Sequence, residues 1–218
     1  MSPTGRAFAL CAAVAYLIAA TAGMLAPPGF FIGPEGYAAL AEQRAAHPWI
    51  HLFAYGGAFV GFAAVLGITL ALLNEREVPS FDFGRWCEVV GLIACAVGMM
   101  HTLNQLYRIR FWSNLYLENS AAGQDGFYFA VLASQGADGG ALSFLGVGLW
   151  MIATSILLAK RARIGRLAAM VGIVAGFAHI VLSVDFSFYV PIPYFVSQTA
   201  VVLLGASWFV LLARMPKA

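Results

Sequence analysis

The spacing between charged residues constrains this chain more than any other feature of its sequence. Six stretches contain no Asp, Glu, Lys or Arg and are long enough to cross a bilayer. They lie between Arg6 and Glu35, Arg44 and Glu75, Glu88 and Arg108, Asp138 and Lys160, Arg166 and Asp185, and Asp185 and Arg214. A charge at the centre of a membrane helix costs about 2.5 to 3.5 kcal/mol, so spans avoid charges. The sequence therefore predicts an integral membrane protein with six spans.

The composition supports this class and excludes others. Hydrophobic residues make up 61% of the 218 residues, and only 12 basic and 10 acidic side chains are present, whereas about 25% of residues are charged in a typical soluble domain. A soluble globular protein and a disordered chain are both excluded on this ground. The formal net charge of +2 gives no electrostatic footprint for nucleic acid.

The apolar stretches are continuous and lack the alternation of a membrane β-barrel, so each must satisfy its backbone as a helix. We therefore predict an all-α bundle of six transmembrane helices in a single domain covering residues 1–218. Trimming the stretches at proline, glycine and turn residues predicts their limits. The predicted spans are 7–25, 49–73, 86–107, 139–159, 165–184 and 190–212.

The basic residues predict the orientation of the chain. With both termini in the cytoplasm, nine of the twelve Lys and Arg residues lie on the inner side, and Arg44, Arg108 and Arg110 lie on the outer side. The short KRARIGR turn at 160–166 makes the largest contribution. Because cytoplasmic loops carry an excess of Lys and Arg, we predict a multi-pass protein of the cell inner membrane with both termini cytoplasmic.

Two outer connections are longer than simple turns. Residues 26–48 contain AALAEQRAA, which predicts a short helix at the membrane interface. Residues 108–138 mix aromatic and polar groups, and their FYFAVLAS stretch is too short to cross a bilayer. The sequence leaves three alternatives open for residues 127–137: an interfacial helix, a re-entrant helix or an extension of the fourth span.

Three histidines lie within the predicted spans, and polar groups in a membrane are functional candidates by default. His51, His101 and His179 lie in the outer half of the second, third and fifth spans, which predicts imidazoles at similar depth on three helices. His101 forms a polar stripe with Gln105 and Arg108 at helical spacing. His179 shares a face with Gly172 and Gly176, a small-residue pattern that favours close contact between helices.

These histidines support three hypotheses. Together with Asp138 and Asp185, the three imidazoles of His51, His101 and His179 could hold a divalent metal ion, because imidazole and carboxylate groups suit zinc or iron. Alternatively, two of these histidines could bind haem b axially, with Arg108 and Arg110 meeting its propionates. In the third hypothesis the histidines are structural, each bonded to a carbonyl or a tyrosine of a neighbouring helix.

Two stretches resemble a known family of bacterial membrane proteins. GRAFALCAAVAYLIAATAGMLA at 5–26 and GVGLWMIATSILLAKRARIGRLAAMVGIVAGFAHIVLSVD at 146–185 resemble the first helix and the region of helices 4 and 5 of the family DUF4386. The resemblance implies a six-helix bundle and transfers no catalytic residue. Intramembrane histidines and an aspartate are also similar to the zinc sites of membrane hydrolases typified by alkaline ceramidases. Those proteins have seven helices, with HxxxH in the last one, whereas HPWIH at 47–51 precedes the second span here.

Three functions follow as hypotheses. The first is a polar cavity on the outer side that binds a small ligand or cofactor through His51, His101 and His179. The second is an accessory subunit whose glycine-rich helix faces dock onto other subunits of a larger membrane complex. The third is a metal-dependent hydrolase of membrane lipids. The sequence shows neither a GxSxG-like context nor a phosphate-binding glycine pattern, so it gives no support to acyl-enzyme or nucleotide chemistry.

The predicted orientation can be tested with fusion reporters. A reporter fused at Lys217 and one inserted within residues 112–126 should lie on opposite sides of the membrane, the first in the cytoplasm. Accessibility of both reporters from the same side would contradict the arrangement of six spans.

Overall fold

The fold is known from a computed structural model that describes residues 1–25, 42–74, 83–118, 121–126, 139–188 and 194–216. This part of the chain is helical with short turns, and it contains no β-strand. The predicted all-α architecture is therefore confirmed. Residues 127–137, for which the sequence left three alternatives open, lie outside the described residues.

Seven α-helices make up most of the described chain. They are α1 (Pro3–Met24), α2 (Pro48–Asn74), α3 (Phe83–Asn104), α4 (Arg110–Leu117), α5 (Gly139–Lys160), α6 (Arg166–Phe188) and α7 (Tyr194–Ala213). A five-residue π-helix, Gln105–Ile109, joins α3 to α4. Two further short helical stretches cover residues 42–46 and 121–126.

Five segments are long and apolar enough to cross a membrane. These are Pro3–Gly23, Pro48–Asn74, Arg85–Tyr107, Ala141–Lys160 and Arg166–Val184. In α7 the described apolar segment Gln198–Ala213 is shorter than these. The chain is therefore built as a multi-pass membrane protein, and the crossing by its sixth predicted span stays a prediction.

Two helices continue past the limits that charges predicted. The third predicted span ends at residue 107, but helical winding continues from α3 through the π-helix into α4 and reaches Leu117. The fifth predicted span ends at residue 184, but α6 continues past Asp185 to Phe188. A charge marks where a helix leaves the apolar layer, whereas the helix itself ends only where its backbone stops winding.

Six of the helices form a closed ring in chain order. Each of α1, α2, α3, α5, α6 and α7 packs against the next, and α7 packs against α1. The amino group of Met1 donates to the carbonyl oxygen of Pro216 at 2.8 Å, and the Arg6 guanidinium donates to that of Met215 at 2.7 Å. Both described chain ends therefore lie at one end of the bundle, which we call the termini end.

Glycines lie at several close contacts in this ring. A Cβ atom added to Gly176 of α6 would lie 2.6 Å from the carbonyl oxygen of Gly148 of α5, and the reverse substitution meets the carbonyl oxygen of Gly176 at the same distance. Gly172 faces Ser155 and Trp208 just as closely. The prediction that the Gly172–Gly176 face contacts other helices is confirmed, and these backbones approach closely because no side chain stands between them.

Replacing Gly176 with leucine should therefore destabilise the bundle. The added side chain has no room beside Gly148, and overpacking of this kind costs about 1 to 3 kcal/mol. The matched control is Val174→Leu on the same helix, because Val174 is exposed on the outer surface of the bundle. Thermal unfolding in detergent should separate the two variants. Equal melting temperatures would contradict the tight α5–α6 contact.

Candidate functional site

The antiparallel packing of α2 and α3 fixes the relative depth of two histidines. A Cβ atom on Gly98 of α3 would lie 2.7 Å from the Phe62 ring of α2, so these positions are level along the bundle axis. Counting outward from this contact, His101 is level with residue 59 of α2. His51 therefore lies about 12 Å farther from the termini end than His101, at 1.5 Å per residue.

His179 lies nearer the termini end than either of the other two histidines. Gly148 faces Gly176, and Gly146 faces Ala94, so His179 is level with about residue 95 of α3. This is about 9 Å nearer the termini end than His101, at 1.5 Å per residue. The three imidazoles thus lie at three depths and not at the similar depth that the sequence suggested. The reason is that α6 continues beyond Asp185, which leaves His179 near its middle, whereas His51 lies in the first turn of α2.

His179 lies in the centre of the bundle with both ring nitrogens occupied. It is 0% exposed. Its Nδ1 lies 2.7 Å from the carbonyl oxygen of Ala175, and its Nε2 lies 3.0 Å from the hydroxyl oxygen of Tyr16 on α1. Because a carbonyl only accepts, Nδ1 carries the proton, and Nε2 accepts the hydrogen bond that Tyr16 donates.

This arrangement matches the structural hypothesis for His179, in which a buried imidazole bonds a carbonyl and a neighbouring tyrosine. A metal ion or haem iron at Nε2 would have to replace the hydrogen bond from Tyr16. The described residues contain no group of three or more His, Cys, Asp or Glu side chains that could hold a metal ion. Asp138 and the side chain of Asp185 lie outside the described part of the structure. A divalent metal or haem b at the predicted residues stays a prediction.

A different polar cluster lies at the end of the bundle opposite the termini, which we call the far end. Arg44, in the helical stretch 42–46, is only 5% exposed, and its guanidinium donates to the hydroxyl oxygen of Tyr55 at 3.2 Å. The rings of His51 and Tyr55 stack with centroids 6.5 Å apart. The Nε2 atom of His51 is buried and has no hydrogen-bond partner among the described residues.

Gln105 adds a second buried polar group at this end. It is 3% exposed, and its Oε1 atom has no hydrogen-bond partner in the described structure. The Gly98–Phe62 contact places Gln105 level with about Tyr55, and the π-helix that carries it packs against α2. Of the predicted polar stripe, Gln105 is thus turned inward and His101 is half-buried. The side chain of Arg108 is not described.

The electrostatics of the far-end cluster favour an anion. Burial lowers the pKa of the Arg44 guanidinium from its ordinary value because the charged form loses its water, and Tyr55 acts in the opposite direction. An arginine nevertheless keeps its charge in proteins. A buried positive charge beside a tyrosine hydroxyl and an imidazole nitrogen forms a donor set suited to carboxylate or phosphate oxygens.

Sequence reasoning missed two residues of these clusters. The distribution of basic residues predicts only an outer position for Arg44, although a lone arginine four residues before Pro48 lies one helical turn from the entry of the second span. The apolar pattern of the first span gives Tyr16 no separate role, although its hydroxyl requires a partner wherever the ring is buried. The position of Arg44 and the hydroxyl of Tyr16 are both visible in the sequence. Neither indicates which helix supplies the hydrogen-bond partner.

Comparisons of the chain with protein-family models, with curated proteins and with solved structures find no match.

Replacing Tyr16 with phenylalanine tests the Tyr16–His179 hydrogen bond. The variant leaves Nε2 of His179 buried without a donor, so we expect a loss of about 1 kcal/mol in the free energy of unfolding. Tyr107→Phe is the matched control, since the Tyr107 side chain is 87% exposed. Denaturation in mixed micelles measures both. If Tyr16→Phe is as stable as Tyr107→Phe, this bond contributes nothing to the bundle.

Proposed function

We propose that this chain is a multi-pass protein of the inner membrane that binds a small acidic ligand at the far end of its helix bundle. The observation that carries the proposal is the buried Nε2 atom of His51, which has no hydrogen-bond partner among the described residues. A buried polar atom without a partner costs about 1 to 3 kcal/mol, so such an atom beside a buried cation calls for a bound group.

The donors at the far end fit one oxyanion. The Arg44 guanidinium supplies the charge, and the Tyr55 hydroxyl accepts from Arg44, so its own proton is available to donate. In the tautomer protonated on Nε2, His51 supplies a third donor. An oxyanion bound by these three donors accepts charge-assisted hydrogen bonds. Such bonds are roughly twice as strong as hydrogen bonds between neutral groups.

Gln105 restricts the chemical class of the ligand further. Its Oε1 atom is a buried acceptor at the level of Tyr55 and can accept from a hydroxyl group that lies beside the acid. We therefore favour a small hydroxy acid over a simple carboxylate. Under the predicted orientation, the far end faces outward, and the ligand reaches the site from outside the inner membrane.

The accessory-subunit hypothesis loses one of its supports. It relied on glycine-rich faces that are available to other subunits, but Gly57 and Gly61 face α1, and Gly172 and Gly176 face α5 and α7. These four glycines are used inside the bundle. The far-end cluster, by contrast, contains a buried atom that the described chain does not satisfy.

Binding should be measured as a rise in melting temperature of the purified protein, with lactate and propionate as probes and chloride at equal ionic strength as the reference. Lactate should stabilise more than propionate, because its hydroxyl group has an acceptor in Gln105. His51→Ala should weaken lactate binding at least ten-fold. His47→Ala is the matched control, since His47 lies four residues away but is exposed.

Two outcomes would contradict the proposal. One is the same melting temperature in lactate, propionate and chloride. The other is an equal loss of lactate binding in the His51 and His47 variants, which would place the acid at the exposed surface.

A further inference from the structure

Three neighbouring helices carry exposed basic residues at the termini end of the bundle. Lys160 ends α5, Arg166 begins α6 and Arg214 directly follows α7, and all three residues are exposed. Since α6 packs against both α5 and α7, the three residues lie on consecutive helices. Lys160 and Arg166 also bound the apolar segments Ala141–Lys160 and Arg166–Val184. The positive charges therefore lie where the helices leave the apolar layer.

Contacts between the helices place the charges of α5 and α6 at one level. A Cβ atom on Gly172 of α6 would meet the hydroxyl oxygen of Ser155 on α5, so these two positions are level. The two helices are antiparallel, and Arg166 precedes Gly172 by six residues, which makes it level with residue 161. Lys160 therefore lies about 2 Å or less from the level of Arg166, at 1.5 Å per residue.

The charge of α7 lies at the same level. A Cβ atom on Gly172 would also meet the indole nitrogen of Trp208 on α7. Arg214 follows Trp208 by six residues, and Arg166 precedes Gly172 by six, so the two arginines are level along the bundle axis. The axes of packed helices lie about 8 to 10 Å apart. The three basic residues thus form a row across three helices, which we call the basic row.

Each member of the basic row shares a helix face with an exposed aliphatic side chain that lies nearer the middle of the bundle. The pairs are Ile156 and Lys160 on α5, Met170 and Arg166 on α6, and Leu203 and Arg214 on α7. Residues four positions apart lie one turn from each other on one face, and residues eleven apart lie three turns from each other. Each helix therefore presents an apolar outer side that ends in a positive charge.

Acidic residues do not offset this charge. Residues 139–218 contain six basic residues and a single acidic one, Asp185. Asp185 lies on the same helix as Arg166 but about 28 Å farther along its axis. On the neighbouring helix α3, Glu88 is buried inside the bundle. A basic cluster next to the membrane attracts anionic lipids, and each Lys or Arg adds to the attraction.

We propose that the basic row and the apolar side chains next to it bind an anionic phospholipid with two phosphate groups. One phosphate lies between Lys160 and Arg166, the other lies between Arg166 and Arg214, and the acyl chains lie along the exposed aliphatic side chains. Two phosphates fit three cations in a row because each gap between neighbouring helices has a cation on both sides. Phosphatidylcholine carries its own positive charge beside the phosphate and fits poorly.

Native mass spectrometry of the full chain in detergent counts the lipids that stay bound and measures their affinity. The probes are cardiolipin, phosphatidylglycerol and phosphatidylcholine with the same acyl chains. Cardiolipin should bind about five-fold more tightly than phosphatidylglycerol, because it brings one further charge to the row. Phosphatidylcholine should bind more weakly than both. The proposal is overturned if cardiolipin binds no more tightly than either other lipid, or if inorganic pyrophosphate, which has no acyl chains, displaces it.

Variants locate the lipid on the basic row. Arg166→Gln should weaken cardiolipin binding about five-fold or more, since Arg166 lies between both phosphates, and Arg166→Lys should retain most of it. The matched control is Arg85→Gln, which removes the same charge from an exposed position at the start of α3. It should change the affinity less than two-fold. An equal loss in the two glutamine variants would overturn the proposal, because it would indicate attraction to the whole end of the bundle.

The melting temperature without lipid shows whether a variant is folded. Arg166→Gln should melt with the unaltered chain, because the Arg166 side chain is exposed. If it does not fold, Lys160→Gln and Arg214→Gln test the two ends of the row, and each should weaken cardiolipin binding about five-fold. Unchanged binding in both of these variants would overturn the proposal.

Discussion

The absence of water from the bilayer core is the constraint on which the rest of this structure depends. A polar side chain in the middle of the bundle can find a partner only within the protein, since lipid offers neither donors nor acceptors. His179 meets this requirement through Ala175 on its own helix and Tyr16 on α1. The second bond links α1 to α6, the first helix of the ring to the fifth.

Charge spacing, together with proline, glycine and turn residues, predicted most of the helices. The predicted span at 139–159 agrees closely with α5 (Gly139–Lys160), and the span at 49–73 agrees with α2 (Pro48–Asn74). This success has a physical basis, because the cost of burying a charge in lipid is larger than the helix preference of any residue except proline. The same rule fails beyond Arg108, where the helix leaves the apolar layer but continues to wind, so the outer connection begins later than predicted.

The candidate site was less predictable, because depth and partner choice depend on contacts between helices. The spacing of Gly172, Gly176 and His179 predicted a packed face, and that face is packed. Sequence spacing does not predict how far one helix is shifted along its neighbour. The shifts of α5 against α3 and of α6 against α5 place His101 and His179 at different levels. Likewise, the short AALAEQRAA stretch predicted an interfacial helix, but only the structure shows that Arg44 reaches Tyr55 of the next helix.

The histidines show why the presence of a polar residue in a span is weaker evidence of function than its hydrogen bonding. His179 is the most buried of the three, yet its two nitrogens are satisfied inside the chain, which gives it a fixed tautomer and a structural role. His51 lies near the end of the bundle, where a partner from outside can reach it, and its Nε2 atom has none among the described residues. Depth therefore separates these two histidines: His179 in the centre is already paired within the chain, and His51 near the end of the bundle can take a partner from outside.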